Sequence, residues 1–291
     1  FRAAAAAAAA AAKKLVIYKV GRSEAGAQSA ASHTGALAGE DRIFDAFFRQ
    51  IGAIRADRYA DLIDIPMGLA CAAPLSGKRI AILTHTGGAA GLVADVCGTA
   101  GFVTPPPGPD TVKRLAALLR DDGFAPDRNP VDLTLAGLDP EVTYGAIAAL
   151  AESGDYDAVI PVVGSSSVGR PHLVADPVLR AMEHIDKPLV VYTSPSAPEI
   201  VKRLNSSGVP TFDSPEACAA VLTALSHKPT PAYAPADDPA KPDIPDAYKD
   251  RTGPLNEAEA KQLLSSFGID PVREYVISMP EDAPARAAKI G

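Results

Sequence analysis

The sequence predicts an α/β protein built on a doubly wound parallel sheet, and three observations carry that prediction. Short apolar segments rich in β-branched residues alternate with segments of helical periodicity. The central apolar segments have no polar face, which is typical of parallel strands covered by helices on both sides. Helix start signals recur between the strands, where Asp139 and Ser214 each precede a proline and Ser196 opens a capping-box spacing.

Residues 1–72 predict the first part of this organisation. A strand is expected over 15–20, and helices are expected over about 41–50 and 60–72. The stretch between the strand and the first helix, residues 21–39, is rich in Gly, Ala and Ser and predicts a loop.

Residues 77–228 predict a complete doubly wound domain of flavodoxin-like size. A tight turn over 85–88 is expected to lead from the first strand into a helix. The predicted strands are 79–84, 158–163, 189–193 and 209–212. Residues 229–253, rich in Pro, Ala and Asp, predict an extended linker. Residues 254–291 predict a helix and then a strand at about 273–277.

Composition and charge exclude several classes of protein. The net charge of −7 and the mixed charge pattern argue against a nucleic-acid partner and against an anionic membrane surface. No apolar segment is long enough to cross a bilayer. Cys71, Cys97 and Cys218 lie far apart without metal-ligand spacing, which predicts small buried residues and a cytoplasmic protein. An alanine run close behind Phe1, without an initial Met, predicts that the chain is part of a longer protein.

The segment Ser32-His33-Thr34-Gly35, continuing as Ala36-Leu37-Ala38-Gly39, is the most informative motif. An imidazole nitrogen is a good nucleophile near neutral pH, and small neighbours leave room for a phosphoryl group. An isolated loop histidine would more often only form a hydrogen bond.

Three further segments could contact a ligand at the ends of strands. Thr86-Gly87-Gly88-Ala89 lies at a strand-to-helix junction, where free N–H groups bind anions, although a plain tight turn would look the same. Asn129 and Asp132 belong to an Asn-Pro-Val-Asp segment that could equally be a locally bonded turn. Ser165 and Ser166 follow a predicted strand and could bind an anion or form a flexible connection.

Together these motifs resemble the NDP-forming acyl-CoA synthetases, a succinyl-CoA-synthetase-like ligase superfamily that includes the acetyl-CoA and feruloyl-CoA synthetase types. The resemblance implies that catalytic His33 takes phosphate from an acyl phosphate. It also implies that Ser32, Thr34, Gly35 and the segment 86–89 contact the phosphate, and that Asn129 and Asp132 face the substrate region. CoA, ATP or ADP, and Mg²⁺ are the implied cofactors, and a carboxylic acid, CoA, nucleotide and phosphate are the implied partners.

The resemblance also implies a domain order. Residues 1–72 would be the C-terminal part of a CoA-ligase domain with the phosphohistidine loop, 77–228 a flavodoxin-like ligase domain, and 254–291 the beginning of an ATP-grasp domain. A CoA-binding domain would precede Phe1, and the main nucleotide and magnesium sites would follow Gly291. No metal site is expected within the chain itself.

Two other functions stay open at this point. Protein acetyltransferases carry the same ligase-like domains as a regulatory region, but those relatives tend to lose the histidine that His33 represents. A non-catalytic flavodoxin-like binding module is the second alternative. A homo-oligomer is compatible with the sequence, and the identity of the acid is not visible in any of the motifs.

Overall fold

The chain forms two units in a computed structural model, Phe1–Ala232 and Tyr233–Gly291. The structure describes residues 1–34, 39–118, 126–227 and 244–290, with the exception of the side chains of residues 33 and 34.

The first unit contains two parallel sheets and the helices that surround them. Its strands are β1 (Val16–Tyr18), β2 (Ile54–Ala56), β3 (Ile80–Thr84), β4 (Val131–Asp132), β5 (Ala158–Gly164), β6 (Val191–Ser194) and β7 (Thr211–Phe212). Its helices are α1 (Arg2–Ala10), α2 (Glu24–Thr34), α3 (Asp41–Gln50), α4 (Asp61–Cys71), α5 (Gly87–Thr99), α6 (Pro109–Leu118), α7 (Pro140–Glu152), α8 (His172–Met182), α9 (Pro198–Ser206) and α10 (Pro215–Leu225).

The larger sheet has five parallel strands in the order β4-β3-β5-β6-β7. The chain moves outward from β3 to β4 and then returns to place β5 on the other side of β3. This is the strand order of a flavodoxin-like sheet, and its switch point lies between β3 and β5. The pairing of these two strands runs from Ile80 opposite Ala158 to Thr84 opposite Val162. The predicted α/β class with a doubly wound parallel sheet is therefore confirmed.

Both faces of this sheet are covered by helices. Successive side chains of β5 point to opposite faces and therefore enter two different cores. Val159 and Val163 belong to a core shared with α6, α7, α8 and α9. Ile160 and Val162 belong to a second core shared with α5 and α10. Every residue of β3 and β5 is buried.

Helix α4 joins the second of these cores, although the sequence places it in the preceding region. An added Cβ at Gly68 would lie 2.3 Å from Cγ1 of Val221 in α10, so the two helices are in close contact. The smaller sheet pairs β1 with β2 in parallel, with Val16 opposite Ile54. The domain boundary at residues 72–77 remains a prediction.

Of the three predicted helix-start signals, two are confirmed and one is wrong. Asp139 accepts a hydrogen bond from the N–H of Glu141 at 2.9 Å, and Ser214 accepts one from Ala217 at 3.3 Å. Ser196 does not cap α9, whose N-cap is Ala197. Its hydroxyl donates instead to Asp213 at 2.9 Å.

The expected phosphohistidine loop is largely helical. Helix α2 occupies Glu24–Thr34, within the segment that was predicted to be a loop. Ser23 accepts a hydrogen bond from the N–H of Gly26 at 3.1 Å, as an N-cap residue does. Alanine is the strongest helix former, so the small residues that suggested a loop also permit an exposed helix.

The second unit is helical in the part that the structure describes. It contains α11 (Asp246–Lys249), α12 (Glu257–Ser266) and α13 (Ala283–Ile290). A capping box between Asn256 and Glu259 starts α12, which confirms the expected helix. The strand expected near 273–277 is wrong, because no described residue of this unit pairs with that segment. The beginning of an ATP-grasp domain thus remains a prediction.

The contact between α4 and α10 can be tested with two glycine substitutions. We expect Gly68→Ala to destabilise the protein by about 1–3 kcal/mol, because its methyl group would enter the side chain of buried Val221. Gly91→Ala is the matched control, since an added Cβ in this exposed part of α5 meets nothing within 4 Å. It should stabilise the protein by about 1 kcal/mol through helix propensity. Denaturant unfolding measures both values. Equal effects would show that α4 does not pack on α10.

Candidate functional site

Three loops meet at the carboxyl edge of the large sheet, beside its switch point. Strand β3 leads through His85 and Thr86 into α5, and β4 leads into a 3-10 helix at Thr134–Leu138. Strand β5 leads into another 3-10 helix at Ser165–Ser167. Ligands of open parallel sheets bind at this edge, so these loops form the candidate site.

The N-terminus of α5 supplies free hydrogen-bond donors. Thr86 is the N-cap in extended conformation, but its side chain forms no cap bond. Thr84 is buried and holds the turn, because its hydroxyl accepts from the N–H of Thr86 at 2.8 Å and donates to the Thr86 carbonyl at 2.9 Å. Among the described residues, no acceptor engages the N–H groups of Gly87, Gly88 and Ala89. These groups and the helix dipole favour an anion.

The two glycines differ in what surrounds them. Both are exposed, and both are the first helical residues of α5 instead of members of a preceding turn. An added Cβ at Gly87 would lie 3.2 Å from Oδ2 of Asp132, whereas one at Gly88 would meet nothing within 4 Å. The open space beside the free N–H groups therefore lies at Gly88.

Asp132 brings a carboxylate to the edge of this site. Its Oδ1 accepts a hydrogen bond from the N–H of Thr134 at 2.9 Å. Thr134 has φ of 51°, a left-handed conformation that is costly for a β-branched residue. Strained backbone of this kind is concentrated at functional sites. Asp132 thus both forms a local hydrogen bond in its turn and lies beside the N-terminus of α5.

Asn129 has a structural role in this structure. Its Oδ1 accepts from the N–H of Ile82 at 3.0 Å, and its Nδ2 donates to the carbonyls of Ile80 at 2.8 Å and Pro105 at 3.1 Å. The amide thus completes the free edge of β3 where β4 is too short to do so. This bonding accounts for Asn129 and gives its expected contact with substrate no support.

His85 is a site residue that the sequence analysis did not identify. Its Nε2 lies 3.1 Å from the backbone nitrogen of Gly164 and 3.1 Å from Oγ of Ser167. Ser167 is fully buried, whereas the neighbouring Ser165 and Ser166 are exposed at the edge. Burial lowers the pKa of His85, and the nearby carboxylate of Asp132 opposes that shift. The only signal in the sequence was the position of His85 directly after a buried strand.

The segment with His33 lies on α2. The connection from β1 into this helix is fixed by Arg22, which donates to the carbonyl of Asp57 at 2.6 Å, and by Lys19, which donates to the carbonyl of Gly21 at 3.1 Å. Ser32 donates its hydroxyl to the carbonyl of Ser29 at 2.8 Å. The side chains of His33 and Thr34, and the whole of Gly35, lie outside the described residues. Their approach to α5 therefore remains a prediction.

One cavity between described residues is remote from this edge. It has a volume of about 510 Å³ and lies between the β2–α3 region and the helices α5 and α10. It is lined by Val96, Thr99 and Ala100 at the far end of α5. Since a helix rises about 1.5 Å per residue, this cavity is on the order of 15 Å from the free N–H groups.

Metal ligands, membrane-spanning helices and cysteines can be compared with the sequence predictions for the described residues. In that part of the chain, no group of three or more His, Cys, Asp or Glu side chains could hold a metal ion. None of the described helices has the length and apolar character required to traverse a bilayer. Cys97 and Cys218 are buried as expected, and burial raises the pKa of Cys97 to about 12. Cys71 is exposed, which corrects the expectation that all three cysteines are buried.

Comparison with known proteins identifies relatives of this chain. Residues 1–69 match the family model described as a succinyl-CoA ligase like flavodoxin domain. The chain is 31% identical over 217 residues to the alpha subunit of acetate–CoA ligase [ADP-forming] I of Pyrococcus furiosus, covering 72% of this chain and 46% of the relative. It is 30% identical over a 299-residue alignment to a trans-feruloyl-CoA synthase of an unknown prokaryotic organism, covering 100% of this chain and 42% of that protein.

Solved structures give the same result. A dinucleotide forming acetyl-coenzyme A synthetase 1 of Candidatus Korarchaeum cryptofilum, in complex with phosphate and ADP, superposes with a TM-score of 0.66 at 28% identity. The match covers 73% of this chain and 46% of that one. A Pyrococcus horikoshii protein at 23% identity and a TM-score of 0.60 shares the fold. The chain spans less than half the length of these curated relatives. The expected resemblance is therefore confirmed: the chain is similar to part of the ADP-forming acetate–CoA ligases and of a feruloyl-CoA synthase.

Proposed function

We propose that the protein containing this chain is an ADP-forming acyl-CoA synthetase, which interconverts acyl-CoA, ADP and phosphate with a carboxylic acid, CoA and ATP. The observation that carries this proposal is the free N-terminus of α5 at the switch point of the sheet. A site built from backbone N–H groups suits a phosphoryl group, because it supplies donors and a partial positive charge that are already in place.

The reaction divides into three transfers. An oxygen of phosphate attacks the acyl carbon of the thioester, which gives an acyl phosphate and releases CoA. A ring nitrogen of His33 then attacks the phosphorus, and the carboxylic acid leaves with the electron pair of the broken P–O bond. In the last transfer an oxygen of ADP attacks the phosphohistidine, which gives ATP and restores the neutral imidazole.

The residues at the edge of the sheet have separate roles in this scheme. The N–H groups of Gly87, Gly88 and Ala89 would bind the phosphoryl oxygens, together with Ser32, Thr34 and Gly35 around the histidine. Asp132 occupies the side of Gly87, so an anion is directed toward the open space at Gly88. The exposed Ser165 and Ser166 follow β5 at the same edge and would contact the substrate there. Magnesium, expected with the nucleotide, has no proposed ligand among the described residues.

A ligase is better supported than the alternatives. The three named relatives are a CoA ligase, a feruloyl-CoA synthase and an acetyl-coenzyme A synthetase, and the Korarchaeum structure contains phosphate and ADP. A regulatory region of an acetyltransferase would not need the histidine that this chain retains at position 33. The acid that is activated is not specified by any contact in the described part of the chain.

The first test concerns the phosphorylated residue. The complete enzyme that contains this chain, incubated with labelled ATP and Mg²⁺, should gain a phosphate that is labile in acid and stable in base. His33→Ala should abolish this label, because phosphoryl attachment requires the imidazole nitrogen. Label is measured after denaturation, before and after acid treatment.

Replacement of another histidine controls for a general effect. His184→Ala, at an exposed position after α8, should keep the label at the wild-type level. Label that persists in His33→Ala would place the phosphate on a different residue and refute the role of His33.

The second test concerns the N-terminus of α5. Gly88→Val should reduce phosphorylation of His33 about a hundredfold, because its side chain would fill the space beside the free N–H groups. One such donor contributes about 3 kcal/mol to transition-state stabilisation. The fold should be retained, since an added Cβ at Gly88 has no close neighbour. Single-turnover phosphorylation and the thermal midpoint are measured on the same sample.

Gly98→Val is the matched control for this test. It makes the same change at the other end of α5, where an added Cβ also meets nothing within 4 Å. It should leave phosphorylation unchanged. If His33 is phosphorylated at the normal rate per folded molecule in Gly88→Val, α5 does not bind the phosphoryl group.

A further inference from the structure

One imidazole connects the three loops of the candidate site. His85 lies directly between β3 and α5, and its Nε2 contacts Gly164 and Ser167 at the end of β5. Its Cβ packs against Gly137 in the 3-10 helix after β4, where an added Cβ would approach it to 2.9 Å. The side chain thus contacts the connection after each of the neighbouring strands β4 and β5.

The hydrogen bonds determine which ring nitrogen carries the proton. The N–H of Gly164 can only donate, so Nε2 must accept and cannot itself be protonated. The neutral ring then carries its proton on Nδ1. The hydroxyl of Ser167, 3.1 Å from Nε2, is oriented as a second donor by the same argument.

Glycine at position 164 makes this contact possible. An added Cβ there would lie 2.7 Å from Cγ2 of Thr86 and 3.2 Å from Nε2 of His85. The end of β5 therefore touches the N-cap residue of α5 as well as the imidazole. A shift of His85 would move Thr86 relative to β5, and with it the first turn of the helix.

We propose that His85 is a positioning residue for phosphoryl transfer, whose neutral ring holds the N-terminus of α5 against β5 by accepting the N–H of Gly164. This inference rests on the proposed function, because it assigns the held helix terminus to the phosphoryl group. His85 acts through the backbone of α5 and is not assigned a contact with the substrate.

Protonation should release this contact. A protonated Nε2 is a donor and cannot accept from Gly164, so acidification removes the bond. At the end of β5, the ring faces the uncharged residues Gly164 and Ser167. From β4, the carboxylate of Asp132 acts on the ring electrostatically. Burial lowers the pKa of His85 in the folded protein. The stability associated with the neutral ring is therefore present above the unfolded pKa of about 6.5 and is lost as the pH falls through the lower folded pKa.

Two variants separate the loss of the hydrogen-bond acceptor at position 85 from the protonation of the imidazole ring. His85→Gln keeps an acceptor at about the reach of Nε2 but cannot be protonated in this range, whereas His85→Ala removes the acceptor. Phosphorylation of His33 by labelled ATP is measured in single turnover with the complete enzyme, between about pH 5 and pH 8. The rate of each variant is divided by the wild-type rate at the same pH, so the titration of His33 itself cancels.

The expected result has three parts. The rate of His85→Gln relative to wild type should be constant above about pH 6.5 and should rise as the pH falls, because only the wild type loses its acceptor. His85→Ala should be slower by about tenfold or more per folded molecule. Nitrogen-15 NMR of this chain should show neutral His85 protonated at Nδ1, with its signals assigned by their loss in His85→Gln.

Each contrary result has a distinct meaning. A ring protonated at Nε2, a relative rate of His85→Gln that does not change with pH, or a normal rate per folded molecule in His85→Ala would overturn the role of His85 alone. If His85→Ala does not fold, the pH dependence of His85→Gln still decides. A wild-type enzyme without label, or label that persists in His33→Ala, would overturn the proposed function and this inference with it.

Discussion

The pairing of β3 with β5 is the contact on which the candidate site depends. These two strands are buried along their whole length, and they are neighbours because the chain returns past β3 after forming β4. Parallel pairing puts their carboxyl ends at one edge, so the loops after them meet without any need for sequence proximity. The bond from Gly164 to His85 and the close approach of Gly164 to Thr86 follow from this register. A change in register would separate all of these groups.

Phosphate binding by an acidic chain requires a local source of positive potential. The protein has a net charge of −7, which repels anions at long range. The N-terminus of a helix carries roughly half a positive charge, fixed in position by the backbone. It needs no lysine or arginine, and it keeps its charge at every pH. The same partial charge explains how the carboxylate of Asp132 is accommodated beside Gly87.

The accuracy of the sequence prediction varied with the range of the interactions involved. Helix α3 was predicted at its observed bounds, because an amphipathic pattern is a local property of the chain. Strand β4 was not predicted, since two residues are too few to show alternation. Helix α2 was taken for a loop because Gly, Ala and Ser suggest both structures when few large apolar residues are present. His85 was missed for a different reason: its partner Gly164 is 79 residues away, and no local pattern records that contact.

The glycines at the edge of the sheet show which parts of the site serve packing and which serve a ligand. Gly164 is required by the close approach of Thr86 and His85, and Gly87 lies close to Asp132. An added Cβ at Gly88 would meet nothing within 4 Å, and its backbone is not left-handed, so the fold itself would tolerate a side chain there. Open space alone does not identify a site, because Gly91 in the same helix has it too. The difference is that the N–H of Gly91 lies beyond the first turn, where the helix supplies its acceptor, whereas the N–H of Gly88 has none among the described residues. Space for a ligand and donors for a ligand coincide at Gly88, which makes that position the sharpest test of the proposed function.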